Sequence, residues 1–182
     1  MRGFTLIEII IVIAISVMLG TVSFLYSHTA ENEIALSVGQ SKVAQAVLDA
    51  RNLAIATYNT IPGTCGYGVA FNAAASTYSV FAYTPGGTGC PPAAQVTQAP
   101  SSKWTEVSQG TWNAYVANGV KIYTAADSLS VVLFYPPNPV TLISRDGGAT
   151  FLNQTSKIHL ETADGSTKTS VTVNPEGQVN LP

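Results

Sequence analysis

From Phe4 to Tyr26 the chain carries one charged side chain, Glu8, in a run otherwise dominated by Ile, Val, Leu and Ala, and the next charged residue is Glu31. As a helix this run would be about 35 Å long at roughly 1.5 Å per residue, enough to cross a bilayer core of about 30 Å. Glu8 is the anomaly. A carboxylate at membrane depth costs about 2.5 kcal/mol or more and so marks a partner or a function; a plain anchor has no use for it.

The 182 residues leave room for that run and one further domain of ordinary size. Charged residues make up 10% of the chain and the formal net charge is -2, with no basic stripe. A nucleic-acid binder working by phosphate neutralisation is therefore not expected. The mean hydropathy of +0.25 partly reflects the N-terminal run. The remainder is rich in Thr, Ser, Asn, Ala and Gly, which suits a surface solubilised by hydroxyls and amides. Arg2 is the only charge ahead of the run, without the charged region and cleavage pattern of an ordinary secretory signal. Arg2 before the run, and no basic residue just after it, predict an N-terminus in the cytoplasm and the body outside.

Between Ser27 and Tyr58 there is no Pro, and Leu36, Val43, Val47, Ala50 and Ala54 recur on one helical face opposite the polar Gln40, Lys42, Gln45, Asp49 and Asn52. The spacing predicts an amphipathic continuation of the helix, stopped at Asn59-Thr60-Ile61-Pro62-Gly63, whose apolar stripe needs a sheet to cover it. Beyond Cys65, short β-branched runs punctuated by turn residues predict antiparallel strands. These are Tyr67–Phe71 and Tyr78–Tyr83 around Asn72–Ala75, then Val120–Tyr123, Leu129–Tyr135, Val140–Ile143, Lys157–Glu161, Thr169–Val173 and Gln178–Asn180. The Pro-, Gly- and Ala-rich segment Thr84–Ser102 reads as an exposed loop tethered at Cys90.

The hexapeptide Gly3-Phe4-Thr5-Leu6-Ile7-Glu8, followed by its aliphatic run, resembles the processing and assembly segment of type IV pilins and type II secretion pseudopilins. The resemblance implies cleavage by a prepilin peptidase between Gly3 and Phe4, N-methylation of Phe4, and Glu8 as the assembly carboxylate that meets the positive N-terminus of a neighbouring subunit. Two opposite charges held together in a low-dielectric core offset each other's desolvation, whereas either alone is penalised. The long helix, the β-rich body and the terminal segment Val171-Thr172-Val173-Asn174-Pro175-Glu176-Gly177-Gln178-Val179 are similar to the GspH/FimT branch of minor pseudopilins and minor pilins. Major type IV pilins usually carry a helix-kinking Pro late in the hydrophobic stretch; here there is only Gly20.

The expected fold is α+β and pilin-like, with a long N-terminal helix, transmembrane in its first half and amphipathic in its second, on a C-terminal antiparallel β-domain. The expected division is a leader at 1–3, a membrane or filament-core helix at 4–26, its amphipathic continuation at 27–58 and an extracytoplasmic β-domain at 59–182. The resemblance implies a structural subunit of a pilus or secretion pseudopilus, held in the inner membrane before assembly into an extracytoplasmic filament. Its partners would be other subunits, the prepilin peptidase and the inner-membrane assembly platform. The alternative is a pilus-borne module that captures DNA or a surface ligand; Val171–Pro182 holds no Lys or Arg to serve the first.

Cys65 and Cys90 fall on the side placed outside, where disulfides persist, so they are either bonded or two unpaired thiols. Ser144-Arg145-Asp146-Gly147-Gly148-Ala149-Thr150-Phe151 fits the Asp-box pattern Ser-x-Asp-x-Gly-x-Thr-Phe, a self-bonded hairpin in the structural reading and a sugar site in the functional one. No nucleophile elbow, zinc helix or phosphate loop is present, so no catalytic residue, metal or cofactor is expected. Asp127, Asp146 and Asp164 could serve a cation only by converging. Trp104, Trp112 and Tyr115 are candidates for a contact surface, because Trp and Tyr are favoured at hot spots, with core packing as the competing explanation.

Overall fold

The computed structural model describes residues 5–56, 61–86, 89–107 and 113–182, without the side chains of residues 23–30 and 113–114. Gly3, Phe4, Tyr58 and Trp112 lie outside that set. The chain divides into two compact units, Met1–Ile34 and Ala35–Pro182. Helix α1 is assigned over Leu6–Ala56. Among the described residues no helix is long and apolar enough to cross a membrane; the described side chains of the apolar run stop at Val22, short of the Tyr26 to which the sequence carries it.

In the first unit, Thr5 and Glu8 form a capping box: the Thr5 amide and hydroxyl each donate to Glu8 Oε2 at 2.9 Å, and the Glu8 amide donates to Thr5 Oγ1 at 3.4 Å. Reciprocal bonds of this kind satisfy backbone groups that the start of a helix leaves open. Farther along, the Ser16 and Thr21 hydroxyls donate back to the carbonyls of Val12 and Met18, so neither side chain needs an outside acceptor.

Among the described residues the second unit holds the remainder of α1 and ten strands. They are β1 (Gly66–Asn72), β2 (Thr77–Tyr83), β3 (Trp104–Glu106), β4 (Asn113–Tyr115), β5 (Val120–Tyr123), β6 (Val131–Tyr135), β7 (Val140–Ser144), β8 (Ser156–Thr162), β9 (Lys168–Val173) and β10 (Val179–Asn180). One sheet has the order β3-β2-β1-β6-β7, with β4 also on β2, and the second has the order β10-β9-β8-β5. Every ladder is antiparallel.

The predicted stripe is what α1 buries: Leu36, Val43, Val47, Ala50 and Ala54 are all buried, with Val43, Val47 and Ala50 wholly enclosed. They share one core with Tyr67, Val69, Val80, Val132 and Phe134 of the first sheet and Ile158, Leu160, Val171 and Val173 of the second. Gly39 lies on the same face, where a Cβ would come within 3.0 Å of Val116 Cγ1. That close approach explains a glycine in a helix interior, where it otherwise costs up to about 1 kcal/mol. Gln40, placed on the polar face by the sequence, sits at the margin of the contact and donates to Thr169 Oγ1 at 2.5 Å.

The two sheets differ in how they meet water. In β8, buried and partly exposed residues alternate, with Ile158 and Leu160 inward and Lys157, His159 and Glu161 outward. In β6, Val131–Tyr135 is buried throughout, because the first sheet is covered on both faces. Its second cover is the segment predicted to be an exposed loop, and here the expectation is corrected. Val96 and Ala99 are buried and join Phe81, Tyr83, Val131, Leu133 and Tyr135 in a second core. Cys90 is bonded to Cys65, the Tyr135 hydroxyl donates to the Pro91 carbonyl, and Trp104 Nε1 donates to the Ala99 carbonyl at 3.0 Å. The crosslink is worth about 3 kcal/mol in the chain-entropy account.

The sheets join at a few backbone points. The Ile122 amide of β5 donates to Ser76 Oγ, beside β2, at 3.2 Å, while within the first sheet the Val116 amide carries the β2–β4 pairing onto the Ser76 carbonyl, also at 3.2 Å. Ser76 takes a left-handed φ of 52° to make both bonds, the one non-glycine residue with positive φ among those described. Leu129, read from the sequence as part of β6, instead donates its amide to the Lys157 carbonyl of the other sheet at 2.7 Å.

Val47→Ala is expected to lower the unfolding free energy by about 2 kcal/mol, from lost burial and a residual cavity. Gln45→Ala on the exposed face should shift it by no more than about 0.5 kcal/mol. Denaturant titration of both variants checks the assignment of the buried stripe.

Candidate assembly surface

The first unit presents apolar side chains to its surroundings: Leu6 is 76% exposed and Val17 61%. Glu8 stands among them, close to the helix start. Both bonds from Thr5 fall on Oε2, and among the described residues Oε1 has no hydrogen-bond partner. A carboxylate accepts at both oxygens, so Glu8 can cap its own helix and still receive a cation. The adjoining Gly3 and Phe4 lie outside the described residues.

In the second unit the candidate aromatics are not gathered together. Trp104 is half-buried, its ring stacked on Phe81 with centroids 4.3 Å apart. Tyr115 is 72% exposed. They pair with opposite ends of β2, Trp104 with Tyr83 and Tyr115 with Thr77. Trp112 lies outside the described residues.

The three aspartates also stay apart, each engaged within its own neighbourhood. Asp127 meets His159 Nε2 at 2.7 Å and Lys157 Nζ at 3.4 Å, and the hydrogen bond from His159 leads the effects that hold its carboxyl below the usual range. Asp146 organises the Asp-box turn. It accepts from the Ser144 hydroxyl and the Thr150 hydroxyl at 2.6 Å each and from the Thr150 amide at 2.9 Å. Gly148 in the same turn has φ 89°, and a Cβ there would fall 2.3 Å from the Ala99 carbonyl oxygen. The turn and the covering segment touch at that glycine, and the Ala99 amide donates to the Gly148 carbonyl at 2.8 Å. The hairpin is thus an internal brace.

A second turn repeats the device without the motif. Asp164 accepts from the Thr162 hydroxyl at 2.5 Å and from the Ser166 hydroxyl at 2.9 Å. Among the described residues no group of His, Cys, Asp and Glu is placed to hold a metal ion.

These contacts have a pH signature. Hydrogen bonds from Ser144 and then Thr150 bring Asp146 down to about 2, and those from Thr162 and then Ser166 bring Asp164 to about 2, from 3.8. A carboxylate with a lowered folded-state pKa contributes stability that is present above its unfolded pKa and is lost as pH falls through the folded value. Acid unfolding curves of the wild type and of an Asp146→Asn/Asp164→Asn double variant are expected to diverge above about pH 4 and converge toward about pH 2. Identical slopes would show that these turns are not coupled to folding.

No family model matches the chain, and no curated protein matches it. Among solved structures, the chain is similar to the minor pseudopilin EpsH from the type 2 secretion system of Vibrio cholerae, at 11% sequence identity and a TM-score of 0.46, over 81% of this chain and 96% of that one.

Proposed function

We propose that this chain is a structural subunit, a minor pilin or pseudopilin, built into a filament through its N-terminal helix. The observation that carries the reading is the segment Gly3-Phe4-Thr5-Leu6-Ile7-Glu8 at the head of an apolar run that continues into a helix with a buried stripe. Support comes from the geometry at the helix start, where Glu8 caps its own chain through Oε2 and, among the described residues, Oε1 has no hydrogen-bond partner. In this reading a prepilin peptidase cuts after Gly3, Phe4 is methylated, and the run from Phe4 to Tyr26 resides in the inner membrane with the N-terminus in the cytoplasm. An assembly platform then moves the helix into a filament, where the open carboxylate oxygen receives the N-terminal ammonium of a neighbour. The β-domain faces outward. No catalytic residue enters the scheme.

Expression of the full chain with its prepilin peptidase, followed by N-terminal sequencing, is expected to return a product starting at methylated Phe4. A retained Met1, or a cut anywhere else, would sink the reading.

Glu8→Leu should leave membrane insertion intact, since it removes a charge that costs about 2.5 kcal/mol or more at membrane depth. Recovery of the variant in sheared filaments should fall at least tenfold; recovery equal to wild type would remove Glu8 from the assembly contact.

A further inference from the structure

Along one side of β8 the pairing partner changes. Tyr123 of β5 pairs with His159, whereas Lys157 pairs with the segment at Ser128: its amide donates to the Asp127 carbonyl and its carbonyl accepts from the Leu129 amide. Ile158 lies between the two partners, and a pocket of about 120 Å³ opens at the break. That volume is close to the roughly 150 Å³ of an apolar cavity that takes benzene. Phe71, Ile122, Leu129 and Ile158 line it, with Arg145, Lys157 and His159. Ile122, Leu129 and Ile158 are buried members of the main core, while the Lys157 side chain is 43% exposed. The pocket therefore runs from an apolar interior to a basic, solvent-facing side.

We infer that this pocket binds a small monocarboxylic acid with a compact apolar body of about four to six carbons, the body set against the core residues and the carboxylate on Arg145. The guanidinium is already fixed in place. It donates to Ser156 Oγ and the Thr155 carbonyl at 2.9 Å and to the Ala126 carbonyl at 3.4 Å. Among the described residues these acceptors are all neutral and use three of its five N–H groups, which leaves its charge and two donors for a ligand. Local charge limits that ligand to one negative charge. Asp127 meets both His159 and Lys157 and offsets the lysine, so Arg145 supplies the remaining positive charge of the lining. A dianion such as phosphate exceeds it, and a neutral hydrocarbon leaves it unused. A sugar fits less well, because the wall is mainly apolar and Ser130 Oγ, also in the lining, already donates to the Ser144 carbonyl and accepts from the Gly147 amide. The site lies within the second unit and is independent of the filament role.

The test titrates the full chain, in detergent micelles, with isovalerate and benzoate, following the backbone amide resonances of Leu129 and His159. Isovaleramide and benzamide serve as neutral isosteres and glutarate as a dianion. Wild type is expected to bind at least one of the two acids, at least tenfold more tightly than its amide and than glutarate. Ala73→Leu, which enlarges a side chain of the lining without touching a charge, should weaken the acid at least tenfold. Arg145→Gln should do the same and bring acid and amide to equal affinity. Unfolding midpoints matching wild type establish which variants remain folded, and the comparison of acid with amide on the wild type needs neither. Failure of both acids to bind, an amide or glutarate binding as tightly as the acid, or wild-type acid affinity in either folded variant would overturn the inference.

Discussion

Burial of one stripe of α1 is the contact on which the rest of the β-domain depends. Leu36, Val43, Val47, Ala50 and Ala54 are the shared apolar partner of both sheets, and among the described residues no other α-helix covers either inner face. Removing water from this stripe is the main favourable term available, at about 25 cal/mol per Å² of apolar surface. Polar contacts follow from the placement it imposes. Arg51, in the last turns of the helix, reaches the Gly177 carbonyl in the turn before β10 at 3.4 Å, and Gln40 reaches β9. The sheets themselves are joined by sparser means, among them Ser76, whose hydroxyl accepts from the Ile122 amide at 3.2 Å, and Arg145, which donates to Ser156 Oγ and the Thr155 carbonyl at 2.9 Å.

Much of this is visible in the sequence because it is periodic. The helix stripe repeats at the helical period, and each predicted hairpin combines a β-branched run with a turn residue, so α1, β1, β2 and β5 to β10 fall where the pattern puts them. The Asp box was legible as chemistry as well as position, since its bonds are local and lie within one short segment. What periodicity could not show is long-range cover. Val96 and Ala99 stand in a stretch whose composition reads as an open loop, and only their distant partners Phe81, Leu133 and Tyr135 make them core. The edge strands β3 and β4 are three residues each, too short to display alternation. Leu129 looks like strand by type, yet its amide is taken by the neighbouring sheet.

The candidate sites divide in the same way. Thr5 and Glu8 stand three residues apart, so a capping box is readable directly, while the division of labour between the two carboxylate oxygens is not. The aromatics Trp104 and Tyr115 are close in sequence but occupy opposite ends of β2, because antiparallel pairing spreads them along its length. Trp104 stacks on Phe81 and Tyr115 remains in solvent.

The burial of β6 on both faces has a kinetic consequence. Its residues 131–135 cannot reach their final environment until the helix, from residues 36–54, lies on one side and the segment from Cys90 to Trp104 on the other. Both covers precede it by tens of residues in sequence, so the loops that bring them together must close before the strand gains its full burial, and such topologies fold slowly and in a concerted manner. Slow closure leaves an interval in which the stripe of α1 and the face of β6 are both exposed. A partner that shields apolar surface during that interval would act on yield without appearing in the finished structure.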